Sequence, residues 1–155
     1  MKSLRVIVRN TDFQSISTNM CEEDFVSFET AKLLKEKGFD VYTYAYYEDE
    51  DNPNISLYAS KAINWNKKTE FISKPTLQTA MKWLREKHNL HVDSSIYIDT
   101  DGDAEHEYEY TYWDWSIFNS ESGKMIAEPE IGCGRYDTYE QACDAGIRYC
   151  LEKFV

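Results

Sequence analysis

The sequence predicts an α+β fold, an antiparallel sheet with helices packed on one face, and three observations carry that expectation. Segments that alternate apolar and polar residues recur along the chain with turn signals between them. Other segments repeat apolar residues every three or four positions, and each has a recognisable start or stop. A chain of 155 residues is also the usual size for one hydrophobic core, so a single domain, 1–155, is expected. Residues 1–24 read as an N-terminal strand and polar loop ahead of a body at 25–155.

The elements follow in order. Residues 4–9 (LRVIVR) are β-branched and apolar, with Leu4, Val6 and Val8 on one face of a strand, and a polar loop rich in Ser, Thr and Asn follows. A helix is expected over 25–37, with Phe28, Ala31 and Leu34 inward, Ser27 able to cap it and Gly38 supplying the left-handed stop. Residues 40–47 alternate as a strand, setting Tyr42, Tyr44 and Tyr46 on one face and Val41, Thr43 and Ala45 on the other. The acidic run at 48–54 is a turn, 55–63 a further strand, and 64–74 gives no clear signal.

Pro75 is placed for the first turn of a second helix running to about His88, with Leu77, Ala80, Met81, Leu84 and His88 inward and Trp83 at its flank. A strand at 91–99, a hairpin turn at the Asp99-Thr-Asp-Gly-Asp103 segment and a long strand at 105–119 come next. The odd positions Trp113, Trp115 and Ile117 look like its core face. A third strand within 125–135 is interrupted by Pro129, Gly132 and Gly134, which marks it as an edge. The last helix opens on a capping box, Thr138 with Gln141, and buries Ala142, Gly146, Tyr149, Cys150 and Phe154. Gly146 costs roughly 1 kcal/mol against Ala inside a helix, so a close packing contact is its natural reason.

From Pro75 onward the order is helix, three strands, helix. That topology is similar to a double-stranded-RNA-binding domain, and it follows an N-terminal strand-helix-strand-strand segment. The segments VSFETAKLLKEKGFD (26–40), KPTLQTAMKWLREKHNLHV (74–92) and YDTYEQACDAGIRYCLEKFV (136–155) resemble three motifs of one family. It is an uncharacterised family of small proteins from gut anaerobic bacteria and their phages or other mobile elements. The resemblance implies a mobile-element origin and supplies no activity and no catalytic residue.

Composition bounds the function classes. No apolar run approaches the roughly 20 residues of a membrane span and no leader opens the chain, so a cytoplasmic protein away from the membrane is expected. The four cysteines, Cys21, Cys133, Cys143 and Cys150, show no C-x-x-C spacing and read as free thiols in a reducing compartment. Net charge is −11. Residues 89–123 hold nine carboxylates and no Lys or Arg, whereas 61–87 hold seven basic residues against Glu70 and Glu86. Nucleic-acid binding needs cationic stripes and is disfavoured overall. The Lys61–Lys87 stretch, through Lys67, Lys68, Lys82 and Arg85, keeps it as a third reading.

No nucleophile motif, metalloprotease motif or phosphate loop is present, so no cofactor and no catalytic residue is expected. Asp99, Asp101 and Asp103 form the metal candidate, because hard cations take clustered carboxylates. The calcium-loop register fails there, since Gly102 falls fourth and Tyr110 occupies the place of the bidentate Glu. A metal-dependent enzyme built on that cluster is the runner-up reading. The leading reading rests on tyrosine, of which the chain has twelve. If Trp113, Trp115 and Ile117 face the core, then Tyr108, Tyr110 and Tyr112 stand on the outer face, bordered by Glu107, Glu109 and Asp114. Tyrosine joins a large contact area to a polar tip and is enriched at interfaces. The expectation is a non-enzymatic binding protein that meets a basic protein partner through this face.

Overall fold

The computed structural model describes residues 25–48, 56–102, 107–130 and 134–155 of the chain. The expected strand at 4–9, the acidic turn at 49–54, Cys21, Asp103, Glu105, His106 and Cys133 lie outside the described residues. Three helices and six strands are described: α1 (Phe28–Glu36), β1 (Thr43–Tyr47), β2 (Ser56–Ile63), β3 (Ile72–Ser73), α2 (Leu77–His88), β4 (Leu90–Gly102), β5 (Glu107–Asn119), β6 (Met125–Ala127) and α3 (Tyr139–Lys153). The fold is α+β, and its C-terminal part runs helix-strand-strand-strand-helix as expected.

The strands form two sheets. One has the order β2-β1-β3 and the other β4-β5-β6, with every described strand pair antiparallel. Ile72 and Ser73 pair with Tyr47 and Tyr46, so β1 is the central strand of its own sheet. The stretch without a sequence signal supplies β3 and a short 3-10 turn at Trp65–Lys67. Trp65 earns its place there by stacking on Tyr46 at 3.8 Å and donating its indole N–H to the Thr43 carbonyl at 2.9 Å.

Helix ends show why the chain breaks where it does. Residues 25–27 are extended, with Phe25 bridging to Thr76, so α1 starts three residues later than expected, behind the Ser27 cap. Asp144 of α3 accepts from the Ser27 N–H at 2.9 Å, the Ser27 hydroxyl at 2.7 Å and the Thr30 hydroxyl at 3.0 Å. A carboxylate from a distant helix thus seats the N-terminus of α1, where the dipole favours negative charge. Gly38 stops the helix at φ +84°. Pro75 lies outside α2, whose cap is Thr76, and Asn89 closes that helix in the left-handed region at φ 56°. Thr138 caps α3 as predicted, but Gln141 returns its bond to the N–H of Asp137 at 3.2 Å, one residue before the cap.

The core lies between α2, α3 and one face of β4–β5. Trp115 and Ile117 are buried with Leu90 and Val92 beneath Leu84, Ile147, Cys150 and Leu151. Gly146 faces that layer closely: a Cβ there would stand 2.7 Å from Val92 Cγ1 and 3.1 Å from Trp115 Cβ. Several inward assignments change, and Phe28, His88 and Tyr149 are only half-buried. Trp83 is in the core rather than at the flank, edge-on between Phe39 at 5.5 Å and His88 at 4.6 Å. Trp113 is half-buried against Tyr139, and Phe154, past the end of α3, is exposed. No helix among the described residues is long and apolar enough to cross a membrane.

Candidate functional site

β4 and β5 pair along thirteen positions, from Leu90 with Asn119 to Gly102 with Glu107. The expected turn at 99–103 is therefore displaced: residues 99–102 continue the strand. Side chains directly opposite in an antiparallel ladder share a face. One face of the distal half therefore carries Tyr97 with Tyr112, Asp99 with Tyr110, and Asp101 with Tyr108. The other carries Ile96 with Trp113 and Ile98 with Thr111.

The tyrosines form one aromatic row. Tyr97 and Tyr112 stack at 5.6 Å, Tyr110 follows at 6.2 Å, and Tyr108 at 6.5 Å beyond it. Tyr108 is exposed, and Tyr110 and Tyr112 are half-buried. Neighbouring side chains provide that cover. The extensive contacts of β5 run to β4, β6 and α3, and not to the sheet that holds Tyr44 and Tyr46. Tyr44 in that sheet and Tyr42 just before it are also exposed, each about 60%.

Asp99 and Asp101, read from sequence as metal candidates, are bound instead to this row. The Tyr108 hydroxyl donates to Asp101 Oδ2 and the Tyr110 hydroxyl to Asp99 Oδ2, both at 3.3 Å. Arg135 completes the arrangement. Its Nη2 donates to Asp99 Oδ2 at 2.7 Å and its Nη1 to the Tyr110 hydroxyl, while its guanidinium lies 4.9 Å from the Tyr112 ring centre. Arg135 was not legible as a site residue. It arrives because Tyr136 bridges to Trp113 on the far edge of β5, which turns the preceding side chain onto the tyrosine face. Among the described residues, no group of three His, Cys, Asp or Glu is placed to hold a metal ion.

The expected border is redistributed. Asp114 sits on the tyrosine face opposite Ser95, whereas Glu109, opposite Thr100, belongs to the other face. Glu107 pairs with Gly102 and its side chain lies outside the described residues. Two carboxyls of one face are tuned in opposite senses. The Thr100 N–H, then the Tyr110 hydroxyl and Arg135, hold Asp99 below the usual carboxylate range. Burial pushes Asp114 up, with Glu128 adding to it. Burial also raises the Tyr110 phenol, and Asp99 adds to that against Arg135.

These shifts bear on chemistry. An acid–base pair works when its values approach the operating pH, and here Asp99 moves down while Tyr110 moves up. The two described thiols give no nucleophile either: Cys143 and Cys150 are buried, and burial pushes Cys150 up to about 12. His88 is pulled down by burial, then by Lys87, and its place against Trp83 is a packing role. His91 faces Phe118 across the ladder and lines an open groove of about 490 Å³ at the root of the same face, with Arg85 and Asp93. The basic stretch is dispersed: Lys74 is buried between the rings of Phe25 and Tyr47, Lys68 lies over Trp65, and Lys82 pairs with Glu86 on α2. No protein-family model, curated protein or solved structure matches the chain.

Proposed function

We propose that this is a non-enzymatic binding or accessory protein that engages a basic partner protein through the acidic, tyrosine-rich face of the β4–β5 hairpin. The observation that carries the reading is the row Tyr97, Tyr112, Tyr110 and Tyr108, interleaved with Asp99 and Asp101 on one outward face. Aromatic rings offer contact area at low entropic cost, and the carboxylates select the sign of the partner's charge. Arg135 already shows the mode on a small scale, as a guanidinium seated over Tyr112 and bonded to Asp99. A partner arginine or lysine would meet the same chemistry at Asp101 and Tyr108. The likeness of three segments to a mobile-element family supports an accessory role, and the buried free thiols Cys143 and Cys150 suit a reducing cytoplasm.

The test pairs capture from a native host with a surface variant. Tyr97→Ala with Tyr108→Ala removes two exposed rings and should leave the circular dichroism spectrum unchanged. Interface tyrosines at hot spots cost about 2 kcal/mol or more, roughly 30-fold in affinity. The captured partner should therefore be lost, and its binding to the unaltered chain should weaken as salt is raised. Equal recovery by both forms would move the interface elsewhere.

A further inference from the structure

The register of the hairpin fixes which backbone groups of β4 face outward. On the far side of β5, Trp113 exchanges both its N–H and its C=O with Tyr136, at 2.8 and 2.9 Å. Antiparallel ladders alternate pairs that exchange both bonds with pairs that exchange none. Trp113 and its β4 partner Ile96 therefore form a non-bonded pair, and two residues on so do Thr111 and Ile98. The N–H and C=O of Ile96 and Ile98 point away from β5, along an edge that no described strand pairs in the sheet ordered β4-β5-β6.

Nearer the tip the same edge is closed by its own side chains. The outward N–H of Thr100 donates to Asp99 Oδ1 at 2.9 Å and that of Gly102 to Asp101 Oδ1 at 2.8 Å. Among the described residues, nothing covers Ile96 and Ile98 in that way. The residues that precede them are turned to other work: the Ser95 hydroxyl donates to Asp93 Oδ2 at 3.1 Å, and Tyr97 stacks on Tyr112. Their own side chains are 55% and 70% exposed. An open edge flanked by exposed apolar side chains is a template for an added strand.

We infer that residues 94–98 of β4 accept an extended segment of a partner protein as an added strand, one whose side chains alternate apolar and basic. The partner's charge rests on the function proposed above; the open edge does not. Apolar side chains of the added strand would lie on Ile96 and Ile98, and its basic ones on the opposite face beside Asp93, Asp99 and Asp101. A second copy of this chain fits poorly. Antiparallel self-pairing that sets Ile96 against Ile98 also sets Asp93 against Asp101, and like charges directly opposite are destabilising.

The test uses the full chain, a short synthetic peptide alternating lysine and valine, and a control peptide with the same residues in two blocks. The alternating peptide should bind roughly ten-fold more tightly by fluorescence anisotropy. It should slow amide exchange at Ile96 and Ile98 and leave Tyr97, whose N–H faces β5, unchanged. Ile98→Pro removes an N–H that no ladder bond uses, a substitution sheet edges tolerate, and should lower affinity by about ten-fold. If that variant fails to fold, the exchange measurement on the unaltered chain decides. Equal affinity for the two peptides, unchanged exchange, or full binding by a folded Ile98→Pro overturns the added strand. So does protection of Ile96 and Ile98 before any peptide is added, which would mean that residues 1–24 or a second copy hold the edge. Loss of binding in Tyr97→Ala with Tyr108→Ala but not in Ile98→Pro would leave the tyrosine face standing and remove the strand. Failure of the alternating peptide to bind at all would count against both.

Discussion

The two halves of the β4–β5 hairpin are built from the same alternation and have opposite fates. At the root, Val92, Trp115 and Ile117 are at most 5% exposed beneath α2 and α3. At the tip, Ile96 and Ile98 continue the same face and are more than half exposed. Nothing in the side-chain period separates Val92 from Ile96. What separates them is the reach of the helices, which cover the root and stop. A period-two pattern assigns residues to faces, and only the partner elements decide whether a face is core or surface.

The comparison breaks most easily at its ends. Trp115→Ala at the root should cost about 3–5 kcal/mol, because it leaves a cavity among packed neighbours. Ile98→Ala at the tip should change stability by less than about 0.5 kcal/mol, as surface substitutions do. Urea denaturation of both variants checks the pair. Similar losses at the two positions would mean that the tip is covered in solution.

The second prediction sharpens the root alone. Gly146→Ala places a methyl 2.7 Å from Val92 Cγ1 and 3.1 Å from Trp115 Cβ. Overpacking costs about 1–3 kcal/mol, and helix propensity returns about 1 kcal/mol. A net loss of about 1 kcal/mol by the same denaturation assay is expected. Adding Val92→Ala makes room for the methyl, so the double variant should be more stable than the sum of the two single losses predicts. Simple additivity would mean that α3 shifts away from the sheet instead.

How much of this was legible depends on whether the cause was local. The caps at Ser27 and Thr138, the stop at Gly38 and the close approach at Gly146 each follow from one residue's own chemistry, and each stands as read. The third strand of the N-terminal sheet was not legible, because β3 is only Ile72 and Ser73 and is held by pairing with Tyr46 and Tyr47. Trp83 was misplaced for a similar reason: its helix face borders both the core and the loop at Phe39, so spacing alone left it at the margin. At the site, Tyr108, Tyr110 and Tyr112 were legible through the period-two rule. The same rule assigns Glu109 to the opposite face, so its place in the expected border ran against the alternation. Arg135 is positioned by a single bridge between Tyr136 and Trp113, twenty-three positions apart in the chain, and no local pattern announces such a contact.

The smallest expected effect lies within the tyrosine face and has a sign of its own at each end. Asp99 is held low by the Thr100 N–H, then by Tyr110 and Arg135. Its folded value is below the unfolded one, near 3.9, so the folded state binds fewer protons there. Its contribution to hairpin order is present above the unfolded value and is lost as pH falls through the folded one. Asp114 is held high by burial, then by Glu128, and the sign reverses. Its contribution is present below the unfolded value and is lost as pH rises through the folded one. Carboxyl-carbon NMR should therefore find Asp99 titrating below Asp114 although both belong to one face of one hairpin. Arg135→Ala should raise Asp99 only in part, because the bond from the Thr100 N–H at 2.9 Å remains, and should leave Asp114 in place. Identical titration of the two carboxyls would show that Arg135 and the tyrosine row do not hold the tip in solution. The contrast between an ordered root and an ordered, charged tip would then reduce to a root with a loose extension.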